Sequence, residues 1–93
     1  MARQRSLEVI QNSELVTIGE LVRLTDARYS TLKFYTEEGM LPFMQAGENL
    51  TRRYNREKSI TRIRFIQTLR SQGKTIPEIK EILLQGSIPG KSN

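Results

Sequence analysis

The chain has 93 residues, with 15 Lys plus Arg against 10 Asp plus Glu, a net charge of +5 and a pI near 10.0. It contains no Cys and no His, which excludes a disulfide framework, a thiolate or imidazole metal site, a cysteine nucleophile and a histidine base. This length suits a single small domain and is short for a catalytic domain joined to a separate binding domain, while the positive balance favours an anionic partner such as nucleic acid.

The first sixteen residues form a polar arm with a few apolar positions (Leu7, Val9, Ile10, Leu15, Val16). Their expected state is flexible or partly helical, with a frayed end favoured. Arg3 and Arg5 do not begin a signal peptide, because Glu8 and Gln11 break the following stretch. No segment approaches the ~18 consecutive apolar residues of a membrane span, so the expected location is the cytoplasm, with the nucleoid.

Thr17-Ile18-Gly19-Glu20 is a capping box: a Thr hydroxyl and a Glu carboxylate three residues apart can satisfy each other's backbone N–H. Ile18, Leu21, Val22 and Leu24 then give a short helix ending near Thr25, with Asp26 as the turn residue. A second helix is predicted from Tyr29 to Glu38. Leu32, Tyr35 and Phe34 are candidates for its inner side, with one of the two rings facing the core, and the spacing favours Tyr35, packed with its hydroxyl free. Gly39 and Pro42 close it.

Gln45 to Asn49 is turn chemistry between Phe43-Met44 and Leu50 to Tyr54, which predicts a small β-hairpin. Asn55 caps a third helix with Ile60, Ile63, Ile66 and Leu69 on one face, Phe65 alongside, and Gly73 as its stop. A second capping box, Thr75-Ile76-Pro77-Glu78, opens a fourth helix through Ile79, Ile82 and Leu83 that Gly86 ends. Residues 87–93 read as a disordered tail or the start of a linker.

The order helix, tight turn, helix, hairpin, helix, helix describes a mainly α chain with about four helices and a two-stranded wing. Two short helices across a tight turn are a helix-turn-helix, whose second helix suits a DNA major groove. The charge is local. Arg52, Arg53, Arg56, Lys58, Arg62 and Arg64 face a single acid, Glu57, over the same stretch. Arg28 and Lys33 add charge on the second helix.

Thr17 to Thr25 resembles the opening of the DNA-binding domain of the mercury-resistance-regulator (MerR) family. Thr31-Leu32-Lys33-Phe34-Tyr35 followed by Gly39-Met40-Leu41-Pro42 resembles that family's second-helix signature. Arg52-Arg53-Tyr54 is similar to the close of its wing. Ile63 to Ile66 and Ile79 to Leu83 are similar to its last two helices. The resemblance spans about 17–84 and implies a winged helix-turn-helix domain over 17–86 that binds double-stranded DNA; no cofactor and no metal are expected for this chain. It places Arg28, Tyr29, Ser30, Thr31 and Lys33 toward DNA, Tyr35 toward a phosphate, and Arg52, Arg53 and Tyr54 on the wing.

Asp26 departs from the family by replacing the usual turn Gly. Arg28 stands where Ser or Thr caps the second helix, and Lys33 for Arg loses bidentate recognition. Family regulators continue into a dimerisation helix and an effector domain. For this chain the expectation is a monomer in solution, with no small-molecule effector site, that pairs on palindromic DNA or through a missing C-terminal segment.

The residues keep blander readings. Arg52 and Arg53 also suit a charged hairpin edge, Tyr54 also suits the core, and Arg62 and Arg64 read as a solvated helix face. Glu37, Glu38 and Glu57 do not form an acid/base pair, and an enzyme is not expected. Transcriptional regulation is the leading role. A segregation, excisionase or DNA-packaging head, or a protein-interaction module that meets an acidic partner, are the alternatives.

Overall fold

The structure is a computed structural model that describes residues 5–46 and 51–85. The elements run α1 (Leu7–Gln11), β1 (Leu15–Val16), α2 (Ile18–Thr25), α3 (Tyr29–Glu37), β2 (Met44–Ala46), β3 (Thr51–Asn55), α4 (Arg56–Ser71) and α5 (Ile76–Leu84). The architecture is mainly helical with a small antiparallel sheet, as a winged helix-turn-helix requires. The tip of the expected hairpin turn, the Gly86 stop and the 87–93 tail lie outside the described residues.

The local signals act as the sequence implies. Thr17 and Thr75 both close capping boxes, and Asn55 accepts from the Lys58 N–H. Asp26 adopts a left-handed φ of 61° and ends α2 with its N–H on the Val22 carbonyl. Gly39 has φ 76°, and it ends α3 in a Schellman motif: the Met40 N–H reaches the Tyr35 carbonyl at 2.8 Å and the Gly39 N–H reaches Thr36. A side chain at that φ would be strained. Arg28 stands at the N-cap of α3 and makes no side-chain capping hydrogen bond.

The core draws on every layer: Ile10 of α1, Val16 of β1, Leu21 of α2, Leu32 and Tyr35 of α3, Tyr54 of β3, Ile63 and Ile66 of α4, and Ile79 of α5. Met40 and Leu41, which leave α3, are buried with them. The stripe expected on the third helix is therefore the core face of α4.

The N-terminal segment adds an element and a strand beyond the expected hairpin. Ser6 caps α1 by accepting from the Val9 N–H, and Ile10 is fully buried. β1 pairs antiparallel with β3 through Leu15↔Asn55 and Val16↔Tyr54, so the sheet has three strands in the order β1-β3-β2. Arg56 of α4 reinforces this edge, its Nε donating to the Ser13 carbonyl at 2.8 Å.

Arg5 ties the segment to α2. Its Nε and Nη2 donate to the Glu20 carboxylate at 2.8 and 2.7 Å, and Nη1 donates to the Ser13 hydroxyl. Arg23 in turn donates to the Arg5 carbonyl. The Arg5 guanidinium holds the Glu20 carboxyl at about 2, well below its ordinary 4.5, with the Thr17 backbone adding to the effect and partial burial opposing it. A folded-state value below the ordinary one stabilises the fold above pH 4.5, and that contribution is lost as pH falls from there toward 2. Glu20→Gln is expected to cost roughly 1 kcal/mol at neutral pH through the weakened cap and ion pair. Urea unfolding of both proteins from pH 7 downward checks this: the gap closes as the solution is acidified. A gap that stays constant with pH would show that the charge contributes nothing.

Candidate nucleic-acid interface

Four residues of α3 point into the core or its border and five point out. Leu32, Tyr35 and Thr36 are buried, Thr31 is half-buried, and Tyr29, Ser30, Lys33, Phe34 and Glu37 are exposed. The exposed positions recur at helical spacing and form one continuous face. Arg28 is exposed at the start of this helix. Of the two adjacent rings, Tyr35 turns inward (2% exposed) and Phe34 outward (40%), with ring centroids 6.3 Å apart.

The wing is fixed to this helix from below. Tyr54 of β3 is fully buried, and its hydroxyl lies 2.9 Å from the Thr36 hydroxyl of α3, which also donates to the Leu32 carbonyl. Tyr54 is thus a core residue, which corrects its placement among the DNA-facing groups: its polar tip serves the joint between wing and helix. The Tyr35 ring lies in the core, as its helical spacing implies.

Arg52 shares the Tyr54 face of β3, because alternate residues of a strand point the same way. It is exposed, and its guanidinium sits 4.7 Å over the ring of Phe43. That ring lies 6.1 Å from Tyr54, so Arg52 is steadied by the aromatic stack that roots the wing. Arg53 opposes Met44 across the hairpin and is half-buried. Its Nη1 is buried and finds no hydrogen-bond partner among the described residues.

The remaining basic cluster divides by role. Arg56 is tied to Ser13, and Arg62 donates to the Met40 carbonyl at 3.0 Å with burial lowering its pKa. Arg62 is thus a strut between α4 and the end of α3, whereas the sequence reading made it a solvated face. Lys58 and Arg64 are exposed. Lys80 of α5 pairs with Glu38 at 2.9 Å and braces the same end of α3.

A helix face and a basic hairpin thus meet at a buried hydroxyl pair. The family model described as MerR HTH family regulatory protein matches residues 16–86. The chain belongs to the MerR helix-turn-helix regulatory family. It is 33% identical over 73 residues to a mercuric resistance operon regulatory protein of Serratia marcescens, covering 78% of this chain and 50% of that protein. It is 32% identical over 72 residues to a protein of the same description from Pseudomonas fluorescens, covering 77% and 49%. The chain therefore spans about half the length of the curated relatives it matches. No solved structure matches closely enough to be counted.

MerR membership assigns the chain to a family of regulators and not of enzymes. Among the described residues there is no cluster of three or more Asp and Glu placed to bind a metal, and no helix long and apolar enough to cross a membrane. The MerR match begins at Val16, so α1 and the Arg5 clamp precede it. The helical spacing already favours Tyr35 for the core side of α3, and the structure adds that Phe34 turns outward. The support of Arg52 by Phe43 needs the hairpin register.

Proposed function

We propose that this MerR-family chain binds double-stranded DNA sequence-specifically and acts in transcriptional regulation in the cytoplasm, at the nucleoid. α3 enters the major groove, where its first turn (Arg28, Tyr29, Ser30, Thr31) and Lys33 meet base edges and flanking phosphates. Arg52 and Arg53 run along the adjacent backbone. The buried positions of Tyr35 and Tyr54 give them a supporting part, holding helix and wing in one rigid frame. The observation that carries this reading is the exposed face of α3 beside a basic wing, locked by the Tyr54–Thr36 hydroxyl pair at 2.9 Å.

Binding by such a surface releases counterions, so affinity falls as salt rises. With about four phosphates neutralised, the dissociation constant for duplex DNA is expected to rise about a hundredfold between about 50 and 200 mM salt. Fluorescence anisotropy of a labelled random duplex across a salt series checks it. Affinity that is flat with salt would exclude the phosphate contacts, and absent binding would favour an acidic protein partner. We further propose that the chain is monomeric in solution and pairs on palindromic duplexes. Selection of bound sequences from a random pool tests this: two half-sites at a fixed spacing support pairing, and single half-sites oppose it.

A further inference from the structure

α3 presents Tyr29, Ser30, Lys33, Phe34 and Glu37 on its solvent face. Four of these carry polar groups that water or DNA can satisfy. Phe34 carries none, yet 40% of it is exposed. The comparison within the chain is Phe43, which is 36% exposed but has the Arg52 guanidinium above its ring and Tyr54 beside it. The Phe34 ring lies 6.3 Å from that of Tyr35 and leaves apolar surface exposed on the face that Lys33 makes basic. An apolar side chain cannot read a base by hydrogen bonding. In the major groove its match is the 5-methyl group of thymine, the one apolar landmark that a base edge offers there.

We infer that Phe34 reads DNA by packing against a thymine methyl group and so sets a preference for thymine at one position of the target site. The inference rests on the DNA-binding reading above. It adds a specificity determinant to a face whose other exposed groups are polar. Lys33 beside it contacts DNA through its charge and hydrogen-bond donors, and Phe34 adds discrimination by shape and apolar burial.

The test uses a duplex selected by the wild-type chain from a random pool, with each thymine replaced in turn by deoxyuridine, which removes one methyl and keeps the pairing. At one position this is expected to weaken wild-type binding about fourfold, the effect of losing one buried CH₂-sized group. With Phe34→Ala the same replacement should change affinity less than about 1.5-fold, because the contact is already gone. Thermal unfolding establishes that the variant is folded, and Phe34→Gln takes its place if Phe34→Ala is not. Indifference of the wild type to every deoxyuridine would overturn the inference, as would a variant that keeps the full fourfold penalty. A variant weakened equally on all sequences would place the ring against deoxyribose and overturn it too. These results leave DNA binding intact, whereas a wild-type chain that binds no duplex overturns both readings.

Discussion

Tyr54→Ala is expected to remove most of the stability of the fold in neutral buffer. The ring is fully buried, contacts Phe43 at 6.1 Å, and belongs to the strand residue that pairs with Val16. Truncating a buried aromatic costs roughly 3–5 kcal/mol. A small domain has a total stability near the low end of about 5–15 kcal/mol. The loss also falls where β1, β2 and α3 meet β3, so sheet and helix loosen together.

Tyr54→Phe separates the hydroxyl from the ring. The Thr36 hydroxyl keeps its bond to the Leu32 carbonyl at 2.9 Å, so this variant should lose only about 1 kcal/mol. Urea unfolding followed by circular dichroism measures both. A Tyr54→Phe protein that folds normally but binds duplex DNA tenfold more weakly would mean that the hydroxyl reaches DNA, against its buried placement.

The second large effect is a contrast between two basic residues. Lys33 lies on the exposed face of α3 and Arg53 on the wing. Lys33→Ala is expected to lower affinity for the preferred duplex by about 1–3 kcal/mol and to narrow the gap between preferred and scrambled sequences. Arg53→Ala is expected to weaken all duplexes alike and to reduce the salt slope by about 1. The Arg53 Nη1 lacks a partner among the described residues, so its removal strands no acceptor there. Anisotropy titrations with both duplexes at two salt concentrations resolve the contrast. The reverse pattern, with Lys33→Ala uniform and Arg53→Ala selective, would exchange the roles of helix and wing.

Where the sequence was legible, the cause was local. Thr17 and Glu20, Thr75 and Glu78, Asn55, Asp26 and Gly39 act within a few residues of themselves, and each does in the fold what its chemistry implies. The stripe Ile63, Ile66, Leu69 has the period of one helix face, so its burial could be read without knowing what covers it.

The N-terminal arm was less legible because its structure is made by distant partners. α1 has only 5 residues, below the length at which a helix stands without tertiary support. β1 has 2 residues and exists through its pairing with β3. Ser6 caps α1, but the value of a cap depends on there being a helix to end. Arg5 finds Glu20 fifteen positions away, a spacing with no sequence signature.

The sequence by itself determined the order of the elements, their caps and stops, the family, and the concentration of positive charge after the hairpin, since all of these depend on residue type and near neighbours. Only the tertiary structure decided how that charge is used. Arg56 and Arg62 turn to backbone carbonyls that lie 43 and 22 positions away in the chain. Arg52 is left exposed over Phe43, and Tyr54 gives its hydroxyl to Thr36. A short chain with net +5 offers many cations to an anionic partner. Packing commits some of them to the fold, because buried carbonyls need donors, and leaves α3 and the wing to face outward.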